Sequence, residues 1–339
     1  MHNHRSWYRR LWPLWLLIII VILAWWPGRS ILMNTLTERE AQRIASITPD
    51  QGAATTPERL SIERIMADLH WLADAEREGR APGTDGSQAA RDYIIERFQE
   101  LGLTPAGTEG YEQAFTHERV ERAVNILGAI EGQDPTLRTI VITAHYDHLG
   151  VRNGQIYHGS DDNASGTSVL LEMARYFSEN QPQHTLLFAA LDSEERGLLG
   201  AHALFTSGHL DPKTIAFNVN MDMLSRNTDE LLYAVGTYHH PWLVRLVQRV
   251  QAENGARIVM AHDRPWFKAG HTDDWTLSSD HGPFHEQGIP FIYFGVADHP
   301  DYHAPTDTSD KADEAFFRIT AEATLSFTKL IDQVLSEKR

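Results

Sequence analysis

Thr139-Ile140-Val141-Ile142-Thr143-Ala144, followed at once by His145-Tyr146-Asp147, sets the pattern for the second half of this chain. A short β-branched run of this kind reads as a buried strand, and here its end carries a histidine and an acid. The pattern recurs. The run 185–191 leads to Asp192-Ser193-Glu194-Glu195, 215–220 to Asp222, and 289–294 to a segment containing His303, while Leu231–Val235 is a fifth run with a bland end. Helical patterns at 165–178, 198–206, 241–252 and 312–335 alternate with these runs. Such alternation predicts an α/β fold in three layers, a mostly parallel central sheet with helices on both faces. Sites in open sheets form beyond the carboxyl ends of the strands, which is where these acids and imidazoles fall.

The chain has 339 residues, enough for one large domain with an appendage, and 42% of them are apolar. Its formal charge is −16, and residues 1–29 hold Arg5, Arg9, Arg10 and Arg29 without an acid, so the remainder is more acidic still. A body of that sign repels nucleic acid, and no nucleic-acid partner is expected. There is no cysteine, which excludes disulfides, thiolate-held zinc, thiol catalysis and a lipid anchor on an N-terminal Cys.

Residues 11–26 are Leu, Ile, Val, Ala and Trp interrupted only by Pro13, with Arg5, Arg9 and Arg10 ahead of them. This reads as an N-terminal membrane anchor over 1–29, with the body of the chain on the exported side. The run is short for a span, so a signal peptide is the competing reading, although Trp25-Trp26-Pro27 is a poor cleavage site. Residues 30–56 read as a stalk, and 57–339 as a single domain. Thr56 before Pro57 predicts a helix N-terminus, for a helix carrying Leu60, Ile65, Leu69 and Leu72. After the breaker-rich loop Glu78-Gly79-Arg80-Ala81-Pro82-Gly83-Thr84, a second helix carries Ala90, Ile94, Phe98 and Leu101 and stops at Gly102.

Each cluster has a bland reading beside a chemical one. His145-Tyr146-Asp147 alone would be an incidental loop histidine; as a site, the imidazole binds a metal while Asp147 accepts the other ring N–H and fixes the tautomer. Asp161-Asp162-Asn163 would ordinarily cap a helix, yet Gly159 and Gly166 allow a tight bend from which a carboxylate could bridge two cations. Two acids directly past an apolar strand, Glu194 and Glu195, are unlike a solvated face, and one can bind metal while the other accepts a proton. Asp222 between Met221 and Met223 needs a partner if buried, and a metal is a good one. His303 is weak evidence alone, being one of 18 histidines.

Together these motifs resemble the co-catalytic zinc exopeptidases, the clan of secreted bacterial aminopeptidases that also contains glutamate carboxypeptidase II. The resemblance runs from about residue 60 to the C-terminus through Gly79–Thr84, Ala144–Asp147, Asp162–Gly166, Asp192–Gly200, Asn220–Met223 and Ser279–Phe284. It implies two zinc ions per chain, with His145 and Asp222 on one, Glu195 and His303 on the other, and Asp162 bridging both. Asp162 is preferred to Asp161 because the family's bridging acid stands four residues before the Ser-Gly glycine. The family often has a cis peptide after that acid, so a cis Asp162–Asn163 bond is expected. The resemblance further implies Glu194 as general base in hydrolysis of peptides with a free N-terminus.

Glutaminyl cyclases share the fold and resemble the chain at several motifs. They use one zinc held by the counterparts of Asp162, Glu195 and His303, so zinc content separates the two readings. A receptor-like ectodomain without metals requires missing ligands, and none of the five is missing. Aminopeptidase is preferred to carboxypeptidase because the large inserted domains of the carboxypeptidase relatives are absent. Trp266 and Trp275, just ahead of Ser279-Asp280-His281, are candidate substrate-binding residues in a segment that is either a surface loop or a pocket wall.

Overall fold

The computed structural model describes residues 14–15, 28–39, 41–43, 46, 57–264 and 273–337. They fall into two compact units. The smaller comprises residues 1–46 with Arg264–Asp274; within it, residues 28–39 and 41–43 are helical. Among the described residues no helix is long and apolar enough to cross a membrane. The expected span at 11–26 lies, apart from Leu14 and Trp15, outside the described residues, as does Trp266.

The larger unit, 47–263 with Trp275–Arg339, carries the expected α/β architecture. In chain order it has helices α1 (Ile62–Leu72) and α2 (Asp85–Glu100), then strands β1 (Thr104–Pro105), β2 (Glu112–His117), β3 (Val120–Ile130) and β4 (Thr139–His145). The short hairpin β5 (Gly150–Arg152) and β6 (Gln155–Tyr157) is followed by α3 (Gly166–Glu179), β7 (Leu186–Leu191), α4 (Leu199–Thr206) and β8 (Ile215–Asp222). The unit closes with β9 (Leu231–Val235), α5 (Leu243–Asn254), β10 (Arg257–Met260), α6 (His281–Glu286), β11 (Phe291–Gly295) and α7 (Glu314–Ser336).

The main sheet runs β1-β3-β7-β4-β8-β11-β9-β10, with β2 also on β3. Its centre, β7-β4-β8-β11, is parallel as the sequence pattern predicts. The margins are not: β3 is antiparallel to β7, and β9 to β11. The sheet is therefore mixed, because hydrophobic runs reveal strands but not their direction.

Side chains alternate across a strand, and the core divides accordingly. Ile140, Ile142, Leu186, Phe188, Phe217, Val219 and Phe294 pack with residues of α1, α2, α3, α5 and α7 on one face. Val141, Leu187, Ala189 and Leu191 pack with α4 and Phe284 of α6 on the other. Helix α1 begins later than expected. Ser61, not Thr56, caps it, its hydroxyl accepting the Arg64 N–H at 3.3 Å, while the Leu60 N–H is taken by Glu322 at 2.7 Å.

The candidate metal centre

Register brings the chemical ends together. His145 pairs with Leu191 on β7, Thr143 with Asn220 on β8, and Gly295 with Asp222 between β11 and β8. Parallel pairing thus places four strand ends on one edge, and each leads directly into a loop of the site. Ser193, Met223 and His303 all adopt left-handed backbone (φ +62°, +65° and +51°), turning their loops sharply where the strands stop.

The loop between Gly159 and Gly166 is sewn to these ends. Asn163 donates to the Met221 carbonyl at 2.9 Å and accepts the N–H groups of Gly166 and Met223 at 2.9 and 3.1 Å. Asp307 accepts the N–H groups of Asp161 and Asp162 at 3.0 and 3.2 Å. The Asp162–Asn163 peptide is cis, as expected. The neighbouring acids then part company. The Asp161 side chain accepts from the Ser225 N–H and hydroxyl, both at 2.7 Å, and from His299 at 3.1 Å, so it holds the loop. Asp162 points into the site.

Underneath lies a side chain whose role the sequence did not reveal. Arg80 has no exposed surface, and its guanidinium donates only to carbonyls: Tyr146 at 2.8 Å, Leu72 at 2.7 Å, His158 at 2.8 Å and Gly159 at 2.7 Å. Burial lowers its pKa to about 10, still far above neutrality, so a fixed positive charge sits beneath the acids. Gly79 makes the position reachable, with φ +67° and a Cβ that would lie 2.1 Å from the Tyr157 carbonyl oxygen.

Two groups of potential metal ligands form at the strand ends: His145, Glu194 and Asp222, and His148, Asp162 and Glu195. His145 Nε2 lies 3.3 Å from Asp222 Oδ1 and 3.4 Å from Asp162 Oδ1. His303 Nε2 lies 3.1 Å from both Asp162 Oδ2 and Glu195 Oε2. The two oxygens of Asp162 therefore face different imidazoles. A single ring nitrogen carries at most one proton, yet each of these faces two carboxylates. A cation between them satisfies all three groups. With metal–ligand bonds near 2.05 Å, the edge of a coordination tetrahedron is about 3.3 Å, which matches this spacing. An N/O donor set of histidines and carboxylates without cysteine suits zinc.

The electrostatics agree. Burial pushes up Asp280, to about 8, and Glu194, well above the usual carboxylate range. Burial also opposes ionisation of Asp162, but hydrogen bonds from His145 and His303 outweigh it and hold this carboxyl well below its ordinary value. For His303 burial is again outweighed, and Asp162 and Glu195 raise its pKa to about 10. Carboxylates crowded this closely draw positive charge to themselves from whatever source is at hand. Several buried polar atoms lack hydrogen-bond partners: both ring nitrogens of His148, Glu195 Oε1, Asp147 Oδ2 and both oxygens of Asp280.

Of the sequence-derived residues, His145, Asp162, Glu194, Glu195, Asp222 and His303 converge. Asp147 is buried beside them, but it does not take the His145 ring N–H in the way expected. The nearest acceptor of His145 Nδ1 is the Asp147 backbone carbonyl at 3.1 Å, with the carboxylate at 3.6 Å. That carboxylate instead accepts the Glu194 N–H at 3.0 Å and fixes the turn carrying Glu194. His148 is the missed residue. Its Nδ1 is 2.8 Å from Glu195 Oε1, without hydrogen-bond geometry, and its ring packs on Gly159, whose Cβ would meet it at 2.3 Å. That glycine, left-handed at φ +58°, was the available signal.

A cavity of about 200 Å³ opens onto the acids, walled by Met223, Trp275, Tyr293 and Tyr302 with Glu194 and His303. Trp275 is held by its neighbours: its ring stacks on His262 at 3.7 Å, and its carbonyl accepts from the buried His281 at 2.8 Å.

Residues 125–328 match the model of peptidase family M28. The chain belongs to that family. It is 29% identical over 208 residues to aminopeptidase YwaD of Bacillus subtilis, a match covering 58% of this chain and 41% of that one. It spans less than half the length of the curated relatives it matches. A zinc aminopeptidase from Bacillus subtilis superposes with TM-score 0.64 at 16% identity, covering 82% of this chain and 96% of the other. The Porphyromonas gingivalis glutaminyl cyclase superposes with TM-score 0.66 at 17% identity, covering 81% and 100%. At these identities the structural likenesses establish the fold alone.

Proposed function

We propose that this M28 member is a two-zinc aminopeptidase that removes residues from the free N-terminus of peptides. The observation that carries the reading is the Asp162 carboxylate, one oxygen 3.4 Å from His145 Nε2 and the other 3.1 Å from His303 Nε2. In this reading His145 and Asp222 hold one ion, Glu195 and His303 the other, and Asp162 bridges. Zinc there supplies Lewis-acid activation of water and of the scissile carbonyl.

The chain's own groups do the rest. Glu194 stands 4.0 Å from His145 Nε2, further than the ligand oxygens, on the wall of the cavity. It takes the proton from the attacking water and returns it to the leaving amine. Asp147 holds Glu194 in place through its backbone N–H. The apolar wall of Met223, Trp275, Tyr293 and Tyr302 receives the side chain of the first residue, and the acids face its ammonium group. We further propose that residues 11–26 tether the enzyme to a membrane, that 30–56 form a stalk, and that 57–339 form the catalytic domain on the exported side.

The cyclase reading is the runner-up, favoured by the fold likeness and by the motifs the cyclases share with this chain; against it stands the His145–Asp222 pair, complete beside the second set. Metal analysis with a panel of peptides separates them. The expected result is two zinc ions per chain, release of the first residue from free-amine peptides, and no cleavage of N-acetylated ones. One zinc per chain with ring closure of N-terminal glutamine overturns the proposal.

A further inference from the structure

The turn that carries Glu194 and Glu195 continues into Arg196, whose side chain borders a second concavity. This groove, about 420 Å³, is formed by the loop 82–85, the first turns of α2, the β2–β3 turn and Arg196. Four arginines, Arg91, Arg119, Arg122 and Arg196, are among the residues that line it, against two acids, Asp85 and Glu121. In a chain of net charge −16 this is a local reversal of sign. Arg119 donates to the Arg196 carbonyl at 3.0 Å, which ties the β2–β3 turn to the catalytic one. Among the described residues the side chains of Arg122 and Arg196 have no hydrogen bond or ion pair.

Arg91 gives the clearest sign of a ligand. It is 3% exposed, its Nε has no hydrogen-bond partner, and the nearest acid, Glu112, stands 3.9 Å away. Its other contact is the neutral side chain of Gln88. A buried guanidinium N–H without an acceptor is costly, and Arg91 is one of the residues that line the groove. The groove also lies at the N-terminus of the 16-residue α2, where the backbone favours negative charge.

We propose that this groove is an anion subsite that takes the carboxylates of acidic peptide substrates. The inference rests on the peptidase reading of the neighbouring centre. The loop 82–85 that lines it follows directly on Arg80, which supports the Tyr146 and Gly159 carbonyls beneath the acids, so groove and centre share one framework. An acidic body repels acidic peptides at long range, and a cluster of arginines, whose guanidiniums can grip carboxylates in bidentate fashion, offsets that repulsion locally.

The test is equilibrium binding to the zinc-loaded Glu194→Gln protein, which holds peptide without consuming it. The probes are a fluorescent Ala-Ala-Asp-Glu-Asp peptide, its Ala-Ala-Asn-Gln-Asn counterpart, and inorganic phosphate as competitor. The acidic peptide should bind about tenfold more tightly at low salt. The Arg122→Glu/Arg196→Glu double variant should abolish that preference, whereas Arg249→Glu, remote in sequence and outside the groove, should preserve it. Both changes are at exposed positions, and melting temperatures verify folding. Equal binding of the two peptides, or a preference that survives the double variant, overturns the proposal. Phosphate that binds at the arginines without displacing peptide overturns the assignment to peptide carboxylates. Preference for the acidic peptide without cleavage by the wild-type enzyme would leave the groove standing and remove the peptidase reading instead.

Discussion

Glu172 of α3 and Glu322 of α7 are 2% and 0% exposed, as deeply placed as Asp162 at 4%. Around the first pair every charge is met. Glu172 accepts from the Ser61 N–H at 2.8 Å and from the guanidiniums of Arg64 and Arg175 at 2.8–3.0 Å, and Glu322 accepts from the Leu60 N–H at 2.7 Å and from Arg59 Nε at 2.9 Å. At the strand ends Asp147, Asp162, Glu194, Glu195, Asp222 and Asp280 gather without any arginine bonded to them. Arg80, buried beneath them, donates to carbonyls instead. Carboxylates that hold a fold together are given permanent partners; carboxylates left to share a few imidazoles are arranged for an incoming cation.

That contrast predicts opposite consequences for two equally conservative changes. Glu194→Gln should lower kcat about 10⁴-fold while leaving zinc bound, because it removes a proton acceptor rather than a ligand. It should also leave the melting temperature of the metal-free protein unchanged or raised, since it replaces a buried acid whose charge is poorly compensated. Near-wild-type turnover in this variant would remove Glu194 from its role.

Glu172→Gln should do the reverse, sparing the activity of folded protein and costing about 3 kcal/mol of stability, read from urea unfolding. Burial opposes ionisation of Glu172, but Arg64 and Arg175 outweigh it and its pKa is lowered. A carboxyl held below its unfolded value stabilises the fold above about pH 4.5, and the contribution fades as pH falls through the folded value. The variant should therefore have a flatter acid limb below that pH. An unchanged stability curve would mean that this cluster, too, is idle in the fold.

How much of this was legible follows the same division. The strand-end acids stood out because a hydrophobic run followed by Glu194-Glu195 or Asp222 conflicts with ordinary surface patterning, and pairing in register then did the rest. The β2–β3 hairpin was not legible: Glu121 and Arg122 at the start of β3 and the polar stretch 116–119 look like a solvated loop. Arg80 was hidden by the expectation that arginine stays outside, inside a segment that reads as a breaker-rich loop. The late start of α1 depended on Glu322, 262 residues away, claiming the Leu60 N–H. Burial of polar groups is decided by such distant partners, and local composition does not record them.

His148 offers the finest discrimination between the two kinds of buried group. It stands three residues past His145, beyond the end of β4, where strand alternation no longer says which way a side chain faces. Both its ring nitrogens lack hydrogen-bond partners, yet Nδ1 is 2.8 Å from Glu195 Oε1 and 3.7 Å from Asp162 Oδ2. If it belonged to the structural class, His148→Gln would lower stability and leave metal affinity alone. If it orients the carboxylates of the second set, the melting temperature of the metal-free protein should barely change while zinc affinity falls about 10- to 100-fold. On the two-zinc proposal the loss should be confined to one ion, because His148 lies nearest Glu195, at 2.8 Å, which in that proposal serves one ion only. A competitive chelator titration that resolves two steps would show the weaker step moving and the other staying in place; equal weakening of both would instead place His148 on the bridging Asp162 rather than on Glu195.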